Sequence, residues 1–303
     1  MAERLDGRVA LVTGAGRGLG RAYALALAAL GARVVVNSPP RPEGASAHSV
    51  VAAIEAAGGS AVAQIGSVAD PAEARAAVEA AIAAHGRLDI LVMNAGTILN
   101  RPFGETNDGD LSAMLGIHLA APFAAVRTAL PAMARQGWGR IILTGSGSAA
   151  FGLEGQSAYA AAKAGVVGLL NVLKLECGDA DICANVVLPV APPAGRTPAS
   201  ERIAELFGAQ AGRLDPAWVA PLICLLASEA CPGTGGVYSA VGGRYARVFA
   251  AIAQGWQADG DTPPGLDRMI AHAGEIADRR RLSFPDSIID EIEMAAAGVS
   301  PPG

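Results

Sequence analysis

RVALVTGAGRGLGRAYALALAALG, residues 8–31, is the most informative segment of the chain. A short apolar run ends at Gly14, and an alanine- and leucine-rich segment of helical character begins near Gly18. Glycines between a strand and a helix let backbone N–H groups and the helix N-terminus approach a pyrophosphate closely. Gly14, Gly18 and Gly20 therefore predict a dinucleotide-binding turn, with an ordinary structural turn as the alternative.

The same alternation of strand and helix continues along the chain. Apolar runs such as ARVVVN (32–37) and LDILVMNAG (88–96) alternate with helical segments such as DPAEARAAVEAAIAAHG (70–86). Strands that are apolar throughout are buried on both faces, which is typical of a parallel sheet between two layers of helices. We expect a Rossmann-type, doubly wound α/β domain over residues 1–245, with about seven strands ending at GGVYSAVGG (235–243).

Residues 246–303 depart from this pattern and are predicted to form a C-terminal helical extension. A Gly- and Pro-rich hinge occupies residues 259–265, and Ile288, Ile289 and Ile292 follow at helical spacing. We expect this last helix to dock on the main domain or on a neighbouring subunit; a floppy tail is the alternative.

The composition argues against several classes of protein. Of 303 residues, 51% are hydrophobic and 17% charged, which is unlike a disordered chain. The net charge of −5 disfavours nucleic acid and anionic membranes as partners, and no apolar run reaches membrane-spanning length without Gly, Pro or a charge. The four cysteines form no C-x-x-C pair and no histidine has a familiar metal spacing. We therefore expect no metal and a reduced, cytoplasmic setting.

Polar positions at the ends of strands indicate which cofactor the turn would hold. Asn94–Gly96 ends the fourth strand, at the sheet edge where ligands bind in such folds, although an ordinary polar turn fits equally. Ser38 stands where an NAD site places an acid, and it has no charge to repel a 2′-phosphate. Arg17 and Arg41 are cations within reach of such a phosphate, unless both are solvated surface charges. We expect NADP as the preferred cofactor and NAD as the alternative.

A second group of residues indicates proton transfer. Tyr159 and Lys163 are four residues apart, on one face of a helix. A lysine ammonium beside a phenol favours the phenolate, as does a positive nicotinamide ring, and together they would pull the phenol's pKa down from about 10 toward the working pH. Such pairs also occur as surface packing. The catalytic interpretation is favoured by Ser146, which ends the preceding strand 13 residues before Tyr159.

The chain resembles the short-chain dehydrogenase/reductase superfamily in the order of its motifs. These motifs are TGAGRGLG (13–20), NAG (94–96), Ser146 and YAAAK (159–163). The resemblance implies that Tyr159 is the general acid/base and that Lys163 lowers its pKa and binds the nicotinamide ribose. It also implies that Ser146 holds the substrate oxygen. The predicted cofactor contacts are Gly14, Arg17, Gly18, Leu19, Gly20, Ser38, Arg41, Ser67, Val68, Asn94, Ala95, Gly96, Tyr159, Lys163 and Pro189.

His118 stands where the superfamily usually has an asparagine in this catalytic group. The resemblance implies that His118 keeps the role of that asparagine through a water linked to Lys163. A buried histidine bonded to a carbonyl group is the alternative.

Several segments resemble one branch, the (3R)-hydroxyacyl-CoA dehydrogenase domain of peroxisomal multifunctional enzyme type 2, also called a 17β-hydroxysteroid dehydrogenase. They are His118, Ser67–Val68, MNAGTILNRPF (93–103), residues 218–243 and RRRLSFPDSIIDEIEM (279–294). The chain departs from the branch at Ser38, where the branch has an acid. It departs again at PVAPPAGRTPA (189–199), a Pro-rich segment that we expect to form a loop over the site.

The leading hypothesis is an oxidoreductase that interconverts a secondary alcohol and a ketone, with Tyr159 exchanging the proton. We expect a hydrophobic substrate, such as a 3-hydroxyacyl thioester or a hydroxysteroid. A reductase of a sugar, polyol or other small carbonyl compound is one alternative, and a non-catalytic cofactor-binding scaffold or redox sensor is another. The resemblance further implies a homodimer or homotetramer formed through the helices of His118 and Tyr159; the alternative is a monomer whose tail covers these faces.

Overall fold

The computed structural model describes residues 4–40, 46–177, 180–191, 198–259 and 262–297. Within these residues, eight strands form one sheet. The strands are β1 (Val9–Val12), β2 (Arg33–Ser38), β3 (Ser60–Ile65), β4 (Ile90–Met93), β5 (Trp138–Thr144), β6 (Asp181–Val190), β7 (Gly236–Val241) and β8 (Arg244–Val248).

The order of strands across the sheet is β3-β2-β1-β4-β5-β6-β7-β8, and β1 to β7 pair in parallel. β1 and β4 are buried along their whole length because their sequences, VALV and ILVM, are apolar on both faces. The chain reverses its direction of travel across the sheet between β1 and β4. Such a switch point leaves a crevice at the carboxyl ends of the strands. The predicted Rossmann-type, doubly wound fold is confirmed.

Helices cover the sheet. They are α1 (Gly18–Ala29), α2 (Ala47–Ala56), α3 (Pro71–His85), α4 (Asp108–Leu115), α5 (Ala121–Gln136), α6 (Gly147–Phe151), α7 (Ser157–Glu176), α8 (Pro198–Phe207) and α9 (Ala220–Ala227). One layer holds α1 against α2 and α9, and the other holds α3 against α5 and α4 against α7. A π-helical turn at Gly116–Ala120 joins α4 to α5.

The helix bounds follow local capping chemistry, as α3 illustrates. The carboxylate of Asp70 accepts hydrogen bonds from the backbone N–H groups of Ala72, at 2.8 Å, and Glu73, at 3.0 Å. Pro71 occupies the first turn, where its missing N–H costs nothing. The helix ends at Gly86, whose φ of 70° lies in the left-handed region that favours glycine.

The sheet has one strand more than the seven predicted. Gly242 and Gly243, with φ of 56° and 83°, form a two-residue turn that leads β7 directly into β8. β8 is partly exposed along its length. Its sequence, RYARV, therefore lacks the apolar run by which the other strands were identified.

The Pro-rich segment 189–199 is only partly the loop that was expected. Pro189 and Val190 are the last residues of β6 and pair with Ala240 and Val241 of β7, and α8 begins at Pro198. A proline is tolerated at a strand end and in the first turn of a helix. Residues 192–197 lie outside the described part of the chain.

The chain divides into two compact units, Met1–Arg247 and Val248–Gly303. The second unit contains helices, as expected, and also a two-stranded antiparallel sheet. Its elements are β9 (Ile252–Ala253), α10 (Leu266–Ala271), α11 (Ala273–Ile276), β10 (Leu282–Ser283) and α12 (Ile288–Ala297). These two strands were not predicted because each is only two residues long and has no apolar run, whereas the isoleucines of α12 follow a clear helical spacing.

Side chains of this second unit form small aromatic contacts. Phe249 and Phe284 meet edge to face with ring centroids 5.6 Å apart, and Trp256 stacks on His272 at 4.0 Å. The isoleucines of α12 are more than half exposed. Their docking on the main domain or a neighbouring subunit stays a prediction.

Two helical segments, Asp108–Gln136 and Ser157–Glu176, are long and apolar enough to cross a membrane by length and composition alone. Core helices of soluble proteins meet the same criterion. Both segments belong to the helical layer that covers the sheet here.

Candidate active site

The turn after β1 meets the turn after β4 in the crevice at the switch point. A Cβ atom at Gly14 would lie 2.8 Å from Ala95 Cα, and one at Gly20 would lie 2.6 Å from Asn94 Nδ2. Neither position has room for a side chain, and the φ of 64° at Gly14 also favours glycine. The crevice is therefore lined closely by backbone at this point.

Thr13 fixes these two turns to each other. Its buried Oγ1 accepts hydrogen bonds from the backbone N–H groups of Asn94 and Ala95, both at 3.0 Å, and donates to Val92 O at 3.3 Å. Asn94 Nδ2 donates to Thr13 O at 2.9 Å. The amide N–H₂ of Asn94 is thus directed at the protein backbone, where it positions the β1 turn.

The N-terminus of α1 fits an anionic group. Its N-cap, Arg17, makes no side-chain capping hydrogen bond, and its first turn contains no acidic residue. The first N–H groups of a helix have no partner within the helix and attract negative charge. A Cβ atom at Gly18 would meet nothing within 4 Å, so this side of the turn is open. These residues fit the pyrophosphate of a dinucleotide cofactor.

The end of β2 carries no charge. Ser38 is buried and its hydroxyl donates to Pro39 O at 3.0 Å. The neighbouring Asn37, which the sequence did not single out, is also buried; its Oδ1 accepts from Gly14 N at 3.4 Å and its Nδ2 donates to Gly66 O at 3.1 Å. Asn37 therefore ties the glycine turn to the end of β3.

The other predicted cofactor residues are placed as follows. Leu19 lies in the first turn of α1 and is partly buried. After β3, Ser67 Oγ accepts from Ala69 N at 3.0 Å, and Val68 is buried. Pro189 lies in β6, and Arg17 is exposed, whereas Arg41 lies outside the described residues.

Tyr159 and Lys163 lie on the buried face of α7, as their spacing predicts. Tyr159 is 8% exposed and Lys163 is 4% exposed. Lys163 Nζ donates to Thr144 O, at the end of β5, at 2.6 Å and lies 5.8 Å from the centroid of the Tyr159 ring. Burial lowers the pKa of Lys163 to about 7. The amino group is therefore held dry beside the phenol, against a backbone carbonyl.

In the protein without cofactor, the pKa of Tyr159 lies above its ordinary value. Burial raises it, and the side-chain hydrogen bond with Ser146 lowers it by a smaller amount. The predicted fall combines the charges of Lys163 and of a bound nicotinamide, and in the protein without cofactor the Lys163 amino group donates to the Thr144 carbonyl. In the protein without cofactor, the phenol of Tyr159 stays protonated at neutral pH.

His118 lies against the ring of Tyr159. The two rings meet at right angles with centroids 5.0 Å apart. His118 Nε2 is 2.7 Å from Thr97 O, and since a carbonyl can only accept, Nε2 carries the hydrogen. Burial first, and the charge of Lys163 second, lower the pKa of His118 to about 3, so the ring is neutral.

The remaining ring nitrogen of His118 is an unused acceptor. Nδ1 is buried and has no hydrogen-bond partner among the described residues. A buried polar atom normally finds a partner, so this nitrogen is ready to accept from a nearby donor such as a water. The structure thus contains the carbonyl-bound histidine considered as the alternative, and it leaves a free acceptor beside Tyr159 as well.

Ser146 begins a chain of hydrogen bonds. It is the N-cap of α6, its Oγ accepts from Ser148 N at 3.1 Å, and it donates to Ser148 Oγ at 3.2 Å. Ser148 Oγ donates to Gln156 Oε1 at 2.6 Å, and Gln156 Nε2 donates to Asn100 Oδ1 at 2.8 Å. The rotamer of Ser146 is therefore fixed through side chains on three separate segments.

Sequence reasoning missed Ser148, Gln156 and Asn100 as parts of the site. Only their positions could have pointed to them: Ser148 follows Ser146 by two residues, and Gln156 precedes Tyr159 by three. No group of three or more His, Cys, Asp or Glu side chains that could hold a metal ion occurs within the described ranges.

Comparison with known proteins identifies the family pattern. Residues 8–204 match the family described as short chain dehydrogenase. The chain is 41% identical over 246 residues to peroxisomal multifunctional enzyme type 2 of Drosophila melanogaster. The matched region is 79% of this chain but only 40% of that protein. It is 35% identical to a hydroxyacyl-CoA dehydrogenase of Mycobacterium tuberculosis, covering 92% of this chain and 87% of that one.

Solved structures agree with these sequence matches. The full-length Drosophila melanogaster enzyme superposes with a TM-score of 0.79 at 32% identity, over 97% of this chain and 50% of that one. A blue fluorescent protein from a metagenomic library, in complex with NADPH, superposes with a TM-score of 0.69 at 35% identity, over 80% of this chain and 99% of that one.

The contact between Gly96 and His118 leads to a first prediction. A Cβ atom at position 96 would lie 2.4 Å from His118 Cε1, so Gly96→Ala must displace the ring from Thr97 O. We expect the free energy of unfolding to fall by about 1–3 kcal/mol, measured by denaturant titration. Gly104→Ala, where a Cβ would meet nothing within 4 Å, is the matched control and should change little.

His118→Asn should relieve this clash, since the side chain is smaller. The double variant Gly96→Ala/His118→Asn should then be more stable than the sum of the single effects predicts. Additive effects would show that the two positions are not in steric conflict.

Burial of the Lys163 amino group leads to a second prediction. In the folded protein the pKa of Lys163 is about 7, below the ordinary 10.5. Below pH 7 the amino group is charged in both the folded and the unfolded state, so folding buries a full charge and loses stability. This loss of stability shrinks as pH rises from 7 toward 10.5. Lys163→Met should raise the free energy of unfolding by about 1–3 kcal/mol below pH 7, after loss of the bond to Thr144. This gain should shrink at higher pH, as measured by unfolding at several pH values.

Lys174→Met, on the same helix at a half-buried position, is the control and should show no such pH-dependent gain. A gain at Lys163 that grew with pH, or none at acid pH, would contradict the buried charge.

Proposed function

The chain belongs to the short-chain dehydrogenase family and is an NAD(P)-dependent oxidoreductase, and we propose that it interconverts a secondary alcohol and a ketone with Tyr159 as general acid/base. The observation that carries this proposal is the cluster of the buried Tyr159, Lys163 and His118 with the partly buried Ser146. This cluster adjoins the glycine turns through Gly96.

The glycine turn and the N-terminus of α1 would hold the pyrophosphate, and Lys163 would face the nicotinamide ribose. When bound, the nicotinamide supplies or accepts the hydride. The dry surroundings of Tyr159 and Lys163 exclude water from the reacting carbonyl and strengthen electrostatic interactions there.

Tyr159 is protonated at neutral pH because burial raises its pKa, so it can donate a proton to a ketone oxygen. Ser146 is close enough to that phenol to lower its pKa, and its single hydroxyl hydrogen can be donated to the same ketone oxygen. For this the Ser146 hydroxyl turns its hydrogen from Ser148 Oγ toward the substrate. Its own oxygen stays fixed by Ser148 N.

Lys163 and His118 can replace the proton that Tyr159 gives up. The pKa of Lys163, about 7, allows its amino group to release and regain a proton near neutrality. The free Nδ1 of His118 would accept a hydrogen bond from a water that links it to this amino group. His118 would thus do, as a neutral ring, the work of the asparagine usual in the family.

Apolar residues on the segments that flank Ser146 and Tyr159 favour a hydrophobic substrate. Phe151, at the end of α6, is 74% exposed, and Phe103 is 82% exposed. Arg101 N donates to Gly155 O at 2.7 Å, which brings the segment of Phe103 next to the turn before α7. Together with the hydroxyacyl-CoA dehydrogenase among the relatives, these side chains favour a 3-hydroxyacyl thioester, or a hydroxysteroid, over a sugar or polyol.

NADP is the preferred cofactor in this proposal. The end of β2 presents Asn37 and Ser38, which have no charge to repel a 2′-phosphate, and Arg17 is exposed at the N-terminus of α1. The metagenomic relative was solved in complex with NADPH.

We also propose that the chain forms a homodimer or homotetramer in a cytoplasmic setting. An apolar groove of about 520 Å³ lies between α5 and α7, where Phe123 and Val172 are about half exposed. A second copy of the chain would cover this groove, which is why these helices are more apolar than an exposed layer requires.

Replacement of the phenol tests the proposed chemistry. Tyr159→Phe should lower turnover by about 10²–10⁴-fold, because it removes the proton donor, while the dissociation constant of NADPH changes little. Turnover would be followed by cofactor absorbance with a panel of 3-hydroxyacyl-CoA thioesters, hydroxysteroids and polyols. Tyr245→Phe, at a partly exposed tyrosine, is the control and should keep full turnover. Retention of most activity by Tyr159→Phe would rule out the proposed role.

Cofactor preference gives a further prediction. We expect kcat/KM to favour NADP over NAD by about tenfold or more, the range of a single charged contact. Arg17→Gln should reduce kcat/KM for NADP selectively, whereas Arg33→Gln, at the opposite end of β2, should affect neither cofactor. A tenfold preference for NAD, or an equal loss with both cofactors in Arg17→Gln, would overturn the assignment.

A further inference from the structure

Two thiols face each other at the amino end of β6, away from the strand ends that form the active site. Cys183 is the third residue of β6 and pairs with Arg140 of β5 in the register of the sheet. Cys231 lies in the segment between α9 and β7. The proposed catalysis uses neither thiol.

Asn185 brings the two cysteines together. It follows Cys183 by two residues, so both side chains point to the same face of β6. The buried Asn185 donates its Nδ2 to Cys231 Sγ at 3.5 Å and to Gly233 O at 2.9 Å. Cys231 Sγ also lies 3.3 Å from Gly233 O. The thiols are close enough for each to shift the pKa of the other.

The surroundings favour a thiolate on one member of the pair. The neighbouring Cys183 thiol is the largest cause that lowers the pKa of Cys231, and the buried guanidinium of Arg140 lowers it further. The pKa of Cys183 is raised, so it serves as the thiol donor. By contrast, burial raises the pKa of Cys177, and it raises that of Cys224 to about 11.

We propose that Cys183 and Cys231 form a redox-active dithiol that closes to an intrachain disulfide when it meets a hydroperoxide. The side chains of both residues are partly exposed, so a small oxidant can reach them. This site is independent of the proposed alcohol–ketone chemistry.

The reaction balances in two steps. The Cys231 thiolate attacks the peroxide, an S–O bond forms, the O–O bond breaks, and the leaving oxygen takes a proton as an alcohol or water. Cys183 then attacks the sulfenic sulfur, an S–S bond forms, the S–O bond breaks and water leaves. Two thiols are oxidised by two electrons in total, and the hydroperoxide is reduced.

Mass spectrometry of the full chain tests this proposal. The reduced protein would be treated with equimolar hydrogen peroxide, alkylated, and mapped without reduction. We expect loss of two hydrogens per chain and a peptide linked between Cys183 and Cys231, reversed by dithiothreitol. In Cys183→Ser, which removes the resolving thiol, Cys231 should instead be trapped by dimedone as the sulfenic acid.

Cys224→Ser and Cys177→Ser are the matched controls and should retain the link. Reduced Cys231→Ser should keep its turnover, because Cys231 lies away from the cluster around Tyr159. A link that involves Cys224 or Cys177, a disulfide between two chains, or a Cys231 no more reactive to peroxide than Cys224 would overturn the proposal.

Discussion

The burial of the Lys163 amino group is the constraint on which the rest of the site depends. The amino group donates a hydrogen bond to the carbonyl of Thr144, at the end of a central strand, so the sheet itself sets the position of the amine. Desolvation brings its pKa near neutrality, where an amine can exchange protons without a large energy barrier. The same desolvation keeps the phenol of Tyr159 protonated and His118 neutral. One dry environment thereby sets the protonation state of three groups.

Close packing at the switch point connects this environment to the cofactor crevice. Gly14 touches Ala95, and the next residue, Gly96, leaves just enough room for the His118 ring that contacts Tyr159. A side chain at either glycine would push these parts away from one another. These glycines therefore also allow the cofactor crevice and the buried acid/base cluster to pack directly against each other.

The strand–helix alternation and the glycine turn were sufficient to predict the doubly wound fold, because buried parallel strands are apolar on both faces. β8 was missed since RYARV is half exposed and lacks that signal. The spacing of Tyr159 and Lys163 placed both on one helix face, but the direction of the Tyr159 pKa could not follow from spacing. It depends on where the ammonium points and on how much water the fold removes. The contacts of Gln156 and of Cys231 join segments distant in sequence, which no local pattern reveals.

Burial, rather than the neighbouring ammonium, sets the ionisation of Tyr159 in the free protein. Ultraviolet difference spectra between the wild type and Tyr159→Phe, recorded across a pH titration, would follow this one phenol. We expect Tyr159 to ionise above its ordinary pKa of about 10 without cofactor and at lower pH once the positively charged NADP⁺ is bound. Ionisation of Tyr159 at or below its ordinary pKa in the cofactor-free protein would show that burial does not control this phenol.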